Sequence, residues 1–146
     1  SKGILKQPVL YLSDFFERNR SHYYDNLNRM RDKNDLLRWF KFFLVGVIET
    51  AQSGIATFDN ILKLQKQVEA QLQGLGSRAS NAQKIVNYLY QRPLLDAAKV
   101  GEVAGVSPAS AYKLIADFEQ LGILKEITGG KRGKHYLFDD YLKLFR

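Results

Sequence analysis

Cysteine is absent from this chain, and proline is scarce, with only 3 among 146 residues. The absence of cysteine excludes disulfides, thiolate metal sites and thiol catalysis, and it fits a reducing compartment. Hydrophobic residues make up 45% and charged residues 25% of the chain, which is typical of a globular protein rather than a disordered one. The length suffices for one ordinary domain or two small ones.

Long apolar runs are missing as well. The longest, residues 40–48, is interrupted by Lys41, whereas a helix that crosses a bilayer needs ~18 apolar residues. The first residues do not have the layout of a signal peptide, so the sequence predicts a soluble, cytoplasmic protein without membrane association. Because the chain starts without Met and soon enters the apolar residues 8–12, we expect it to be part of a longer protein.

Basic residues outnumber acidic ones. The formal net charge of +7 and the pI of about 9.6 favour nucleic acid or another acidic partner. The two halves share this excess, with 11 basic and 8 acidic residues before Arg78, and 11 and 7 from Arg78 onward. An ordinary basic surface explains the charge equally well, so charge alone does not identify the partner.

Apolar residues at three- and four-residue spacing predict helices throughout the first half of the chain. Ser13 or Asp14 is expected to cap a helix that runs to about Arg31. After a turn, Asn34 or Asp35 is expected to cap the next helix.

The second helical pattern, residues 36–72, is long. Gly54 lies within it and either bends one helix or divides two, since glycine costs only about 1 kcal/mol relative to alanine. Residues 39–48 carry few charges, and we expect them to be buried against other helices. Two glycines and a serine in residues 73–77 then indicate a helix end and a domain boundary.

Shorter elements follow this boundary. The patterns predict helices at residues 81–90, 97–104 and 108–121, strands at 123–127 and 135–138, and a last helix over 139–145. Gly105 supplies a tight turn, and Ser107 followed by Pro108 is a typical helix start. This order predicts a winged helix-turn-helix over residues 78–146, in a mainly α chain, with a small β-hairpin as the wing.

Such a module places the first residues of its second helix in the major groove, and cations in the wing can sit on phosphates or in the minor groove. The expected DNA-binding residues are Ser107, Ser110 and Lys113 in the helix and Lys131, Arg132 and Lys134 in the wing. Serine hydroxyls and helix N-termini suit phosphate oxygens. DNA binding is therefore the favoured function of this half of the chain.

Protein docking stays open as a second interpretation. The helix carries one cation, Lys113, with Asp117 and Glu119 further along it. It has no Arg, Asn or Gln near its start to pair with bases. The module could then pack on its own protein or on a target without meeting nucleic acid.

Sites for metal ions or nucleotides are not evident in the sequence. His22 and His135 are the only histidines, and they lie far apart and outside any cluster of ligand spacing. The glycine-rich residues 129–133 lack the pattern G-x-x-x-x-G-K-[ST] and join two strands, so they do not form a P-loop.

Several motifs follow one another along essentially the whole chain. The first group is Pro8-Val9-Leu10-Tyr11-Leu12-Ser13, Asn19-Arg20, Tyr23-Tyr24-Asp25-Asn26-Leu27 and Trp39-Phe40-Lys41-Phe42-Phe43-Leu44. The second group is Leu121-Gly122-Ile123-Leu124-Lys125-Glu126, Thr128-Gly129 and Lys131-Arg132. The first group, in residues 1–77, resembles the C-terminal part of a Fic domain. The second, in residues 78–146, resembles the winged helix that follows this domain in many bacterial members.

The resemblance implies a parent enzyme that transfers AMP from ATP, with Mg²⁺, to a hydroxyl side chain of a target protein. The active loop of the family, H-P-F-x-[DE]-G-N-G-R, lies just upstream of the segment that matches residues 4–13, and this chain does not contain it. The chain therefore carries none of the catalytic residues and no cofactor site, and we expect it to be inactive alone. The expected partners are DNA and the parent's target protein, while a homodimer stays open.

A stand-alone transcription regulator is a further alternative, in which the N-terminal helices mediate dimerisation. The coding sequence before Ser1 separates the two interpretations. An in-frame H-P-F-x-x-G-N-G-R shortly upstream supports the Fic interpretation, whereas a start codon there excludes it.

Overall fold

The computed structural model describes residues 8–130 and 132–145, with side chains from Leu12 onward. As predicted, the chain is mainly helical, with one small sheet. The helices are α1 (Pro8–Arg18), α2 (Arg20–Lys33), α3 (Leu36–Gln73), α4 (Ala79–Leu89), α5 (Ala97–Ala104), α6 (Pro108–Gln120) and α7 (Asp139–Lys143), with a 3₁₀ turn at Gly76–Arg78. The strands are β1 (Leu94–Asp96), β2 (Lys125–Glu126) and β3 (His135–Leu137). Among the described residues, no helix is both long and apolar enough to cross a bilayer.

The chain divides into two compact units, residues 1–59 and residues 60–146, and the division falls inside α3. We refer to them as the N-terminal and the C-terminal unit. The last turns of α3 belong to the C-terminal unit because Val68 and Leu72 are part of its core. The glycine-rich segment that suggested a boundary at residues 73–77 lies downstream, where α3 ends.

Two helices stand where the sequence predicts one, because the chain turns between α1 and α2 at Asn19. The expected cap at Ser13 or Asp14 is also wrong, since both residues lie inside α1. The side-chain amide of Asn19 donates to the Phe15 carbonyl at 2.9 Å. The backbone amide of Asn19 donates to the same carbonyl at 3.0 Å, so the Phe15 carbonyl accepts two hydrogen bonds at this turn.

α3 is a single helix of 38 residues, so Gly54 does not divide it. The chain enters α3 through Asn34, which has a left-handed backbone with φ of 54°. The Asp35 carboxylate then accepts a hydrogen bond from the backbone amide of Arg38 at 3.2 Å, which confirms the predicted cap.

Aromatic rings form the centre of the N-terminal unit. Phe15 is buried, and its ring centroid lies 5.4 Å from that of Phe42 on α3. On the neighbouring side, Tyr23 of α2 packs edge-on against Trp39 at 5.5 Å. Gly46 allows α1 to approach α3 closely, because a Cβ at this position would lie 2.6 Å from the Phe15 ring.

The prediction that residues 39–48 are buried is wrong for one face of α3. Trp39, Phe42 and Phe43 are half-buried, whereas Phe40 and Ile48 are each 55% exposed. A helix that is apolar on two faces needs a partner on each, and α1 and α2 cover only one.

A contiguous hydrophobic core holds the C-terminal unit together, with contributions from the end of α3, from α4, α5 and α6, and from the sheet. Its largest fully buried side chains include Ile85, Leu89, Leu114, Phe118 and Phe138. Because these residues come from elements that are distant in sequence, the core fixes the position of α6 and of the hairpin next to it.

The sheet is antiparallel, with the strand order β1-β3-β2. Leu95 of β1 and Glu126 of β2 both lie opposite Tyr136 of β3. The sequence did not predict β1, because three residues are too short to show an alternating pattern. The strands predicted at residues 123–127 and 135–138 are present in shorter form.

Candidate nucleic-acid interface

The link between α5 and α6 consists of residues 105–107. Gly105 closes α5 in the left-handed conformation, with φ of 67°, and the amide of Val106 donates to the Gly101 carbonyl at 3.1 Å. The predicted turn at Gly105 is therefore confirmed, and its positive φ explains why glycine is needed there. Val106 packs against the core and helps to fix α5 relative to α6.

Ser107 caps the N-terminus of α6, as predicted. Its Oγ accepts a hydrogen bond from the Ser110 amide at 3.3 Å and donates one to the Ser110 Oγ at 3.1 Å. Pro108 occupies the first turn, where its missing N–H removes no helical hydrogen bond. The two hydroxyls thus lie together at the positive end of the helix dipole, a position suited to an anion.

α6 has a clearly divided surface. Its buried face comprises Ala111, Leu114, Ile115 and Phe118. Lys113 is exposed, as the DNA interpretation requires, and Ser110 is half-buried at the edge of the exposed face. Of the predicted site residues, Ser107, Ser110 and Lys113 therefore share the first two turns of one helix.

Tyr112 is a candidate contact that the sequence analysis missed. It lies beside Lys113 on α6 and is 59% exposed. Its position outside the core-facing set could have identified it, because Leu114, Ile115 and Phe118 already define the buried side. An exposed aromatic ring offers stacking and a hydroxyl next to a cation.

The predicted wing is the connection between β2 and β3, residues 127–134. Arg132 is exposed in it, while Lys131 lies outside the described residues. The Nζ of Lys134 lies 3.1 Å from the Glu126 carboxylate, so its charge is partly neutralised. Two of the three predicted wing cations are described by the structure. Lys134 forms an ion pair with Glu126, whereas Arg132 forms none with a described carboxylate.

The connection is held in place at its base. The Gly129 amide donates to Glu126 Oε1 at 2.8 Å, and the His135 amide donates to Thr128 Oγ1 at 2.8 Å. The hydrogen bond from Lys134 is the largest cause that lowers the pKa of the Glu126 carboxyl, followed by those from the Gly129 amide and the Thr128 side chain, while burial opposes them. Glu126 therefore organises the connection between β2 and β3 as a charged acceptor.

Carboxylates influence the titration of two residues in this hairpin. The hydrogen bond to Glu126 raises the pKa of Lys134, and Glu119 of α6 adds to that rise. Burial raises the pKa of Tyr136 on β3, with a further contribution from Glu119. Lys134 is therefore held in its charged form, but the Glu126 carboxylate compensates that charge, so the pair attracts an anion less than the sequence suggests.

Asp117, an acidic residue that argued against DNA binding, is neutralised by a partner. Arg78 Nη2 donates to Asp117 Oδ1 at 3.2 Å, and Nε lies 2.9 Å from Oδ2 as an ion-pair contact. The carboxylate is mostly shielded from solvent. A paired carboxylate repels phosphate less than a free one, so Asp117 counts less against the interface.

The described residues do not form a metal centre. Both His22 and His135 are exposed, and no group of three or more His, Asp or Glu side chains in the described part of the chain is placed to hold a metal ion.

Comparison with known proteins adds no family assignment. No protein-family model matches the chain, and no curated protein matches it.

Proposed function

We propose that the C-terminal unit is a winged helix-turn-helix that binds duplex DNA, with α6 in the major groove and residues 127–134 on the flanking phosphates. The order α4, β1, α5, α6, β2, β3 and the three-residue link before α6 support this assignment. The observation that carries the proposal is the start of α6, where Ser107 caps the helix, Ser110 lies at the edge of the exposed face, and Tyr112 and Lys113 are exposed. Arg132, exposed in the connection between β2 and β3, supplies a phosphate contact.

Salt-dependent binding tests the proposal. Fluorescence anisotropy of a labelled mixed-sequence duplex is measured while the chain is titrated at several salt concentrations. We expect Arg132→Ala to reduce the steepness of the salt dependence by about 0.9, the value for one phosphate contact. Lys134→Ala is expected to have a smaller effect because Glu126 pairs with this lysine. A variant with Ala at 131, 132 and 134 extends the test to Lys131.

Lys143→Ala is the matched control for these variants. It removes the same charge from α7, where Lys143 pairs with Asp139 and Asp140, and it should leave the salt dependence unchanged. A folded chain that does not bind the duplex at low salt overturns the proposal. If Lys143→Ala and Arg132→Ala changed the salt dependence equally, binding would depend on the net charge of the chain and not on a contact made by Arg132.

Substitution of Ser107 separates capping from DNA contact. Ser107→Asp keeps a good N-cap but places a negative charge where a phosphate is expected, so we predict that DNA affinity falls at least about tenfold while stability is retained. Ser107→Ala loses the cap, at about 1 kcal/mol of stability, but adds no repulsion. If both variants bind DNA equally well, the N-terminus of α6 does not contact the DNA phosphates.

Docking on protein is the second candidate function. It is favoured by the single cation on the exposed face of α6 and by the pairing of Lys134 with Glu126. An interface of this kind would use Tyr112 with its small neighbours Ala109 and Ala116, all exposed. Absence of duplex binding in the anisotropy experiment, with the fold intact, would direct the search to a protein partner.

We also propose that the helices of the N-terminal unit are the helical end of a Fic domain, so that the DNA-binding module regulates an AMP-transferring parent in the cytoplasm. The order of the motifs along residues 8–44 supports this, and the helical character of that region agrees with it. The test is the genomic coding sequence upstream of Ser1. An in-frame H-P-F-x-x-G-N-G-R supports the proposal, and a start codon in its place favours the stand-alone regulator.

A further inference from the structure

An exposed apolar surface runs along α3 in the N-terminal unit. Eight large apolar side chains on it are exposed, from 39% for Val47 to 67% for Leu37; the full set is Leu36, Leu37, Phe40, Leu44, Val47, Ile48, Ile55 and Phe58. At about 100° per residue, all eight fall within a sector of about 120°, together with Ala51 and Gly54. We call this sector the apolar stripe. From residue 36 to residue 58 it contains no polar residue.

The stripe is large enough for a stable interface. Its eight side chains expose about half of their surface each, on the order of 100 Å² per side chain, which sums to roughly 800 Å². A standard protein interface buries about this area on each partner. Monomeric proteins seldom leave so much contiguous apolar surface in contact with water.

We propose that a second copy of this chain covers the apolar stripe, as an antiparallel pair of α3 helices around a two-fold axis at Ala51. A two-fold interface must be complementary to itself, so that each contact occurs twice. About Ala51 the stripe has this property. Leu44 and Phe58 lie seven residues on either side, and Val47 and Ile55 lie four residues on either side. Leu44 and Val47 therefore meet Phe58 and Ile55 of the second copy, Ile48 falls opposite Gly54, and the small Ala51 lets the helices approach at the axis.

Charge at the edge of the stripe agrees with the same arrangement. Lys41 and Asp59 border the stripe on the same side of α3, at about 80° from its centre. In an antiparallel pair, like edges of the two helices meet. Lys41 then lies about 3 Å along the axis from the partner's Asp59, which permits an ion pair at each end. This proposal is independent of DNA binding.

Light scattering across a range of chain concentrations tests the dimer. We expect the mass to approach twice the 16.7 kDa of the chain. Leu44→Glu should weaken the dimer by roughly a hundredfold or more, because two carboxylates enter an apolar interface. Val45→Glu is the matched control, since Val45 is 47% exposed on the same helix but outside the stripe, and it should leave the dimer intact. Circular dichroism verifies that both variants are folded.

A chain that stays monomeric at millimolar concentration overturns the proposal, and the stripe is then assigned to another partner, such as the upstream part of the parent that the Fic proposal implies. Equal weakening by Leu44→Glu and Val45→Glu overturns the use of the stripe. Both results leave the DNA titration unaffected, so failure of the dimer is distinguishable from failure of the proposed function.

Disulfide trapping tests the orientation, and the absence of cysteine makes each introduced thiol unique. Ala51→Cys lies at the two-fold axis and should form a covalent dimer under mild oxidation. Leu37→Cys should not, because an antiparallel pair places the two Leu37 positions about 42 Å apart. Equal trapping at both positions indicates a parallel pair and overturns the antiparallel arrangement. Trapping at Leu37→Cys alone overturns the position of the axis.

Discussion

Gly46 and Gly54 occupy the same helix but meet different surroundings. A Cβ at Gly46 would lie 2.6 Å from the Phe15 ring, whereas a Cβ at Gly54 would meet no atom within 4 Å. Gly46→Ala is therefore expected to lower the free energy of unfolding by about 1 to 2 kcal/mol, since overpacking outweighs the gain in helix propensity. Gly54→Ala should raise it by up to about 1 kcal/mol.

Urea unfolding of the two variants, at a concentration where the chain is monomeric, measures this difference. Both variants replace a glycine by alanine in the same helix, so the difference between their free energies of unfolding reports the contact with Phe15. If Gly46→Ala proved as stable as Gly54→Ala, the close approach of α1 to α3 would not hold in solution.

Tyr90 contains a buried hydroxyl for which the described residues provide no hydrogen-bond partner. Burial raises the pKa of this phenol to about 12, and Glu69 and Tyr141 add to the rise. Tyr90→Phe should thus increase stability by about 1 kcal/mol, because it removes an unsatisfied polar atom and keeps the ring contacts with Phe138 and Tyr141.

Tyr141→Phe is the matched control for Tyr90→Phe. The Tyr141 hydroxyl donates to the Tyr90 carbonyl at 3.2 Å, so its removal should lower stability by about 1 kcal/mol. Thermal unfolding monitored by circular dichroism compares the two variants. A loss of stability in both would mean that the Tyr90 hydroxyl is satisfied in solution.

At the scale of the elements, the hairpin between β2 and β3 depends on the ionisation of Glu126. Because the folded pKa of Glu126 lies below its ordinary value of 4.5, the carboxylate stabilises the hairpin above that pH. The stabilisation is lost as the pH falls below 4.5 through the lowered pKa. We therefore expect the wing to loosen in acid.

The Gly129 amide reports this titration, since it donates to Glu126 Oε1. Its NMR shift should change with a midpoint below pH 4.5, and Lys134→Met should move that midpoint upward, because Lys134 is the largest cause of the lowered pKa. A midpoint at or above the ordinary value in the unsubstituted chain would contradict the Glu126–Lys134 contact. The same variant tests how much Lys134 contributes to the proposed DNA binding.

At the scale of the whole molecule, the two units differ in the depth of their cores. Among the described residues of the N-terminal unit, Phe15 is the only buried large apolar side chain. The C-terminal unit instead has a contiguous cluster of buried apolar side chains. We expect amide hydrogen exchange to be faster in α1 and α2 than in α4 and α6, since local opening exposes less apolar surface there.

The dependence of amide hydrogen exchange on chain concentration tests the proposed pairing of α3. If α3 pairs as proposed, exchange in residues 40–58 slows as the chain concentration rises, while exchange in α6 does not change. Uniform protection of all helices at low concentration would show that the thin N-terminal core is more stable than its burial suggests.

Local features of this chain were determined by the sequence itself. The caps at Asp35 and Ser107, the turn at Gly105 and the long helical pattern of α3 were predicted and are present. They depend on a backbone angle or on a hydrogen bond to a residue within four positions, so neighbouring residue types suffice to specify them.

Other features were decided only by the tertiary structure. The strand β1 forms because β3 pairs with it, Lys134 is engaged because Glu126 lies across the hairpin, and Arg78 neutralises Asp117 from a different element. The exposure of one apolar face of α3 is of the same kind, because the sequence specifies hydrophobicity but not which face finds a partner. Each depends on residues far apart in the chain, and their proximity is set by the packing of the core rather than by any local pattern.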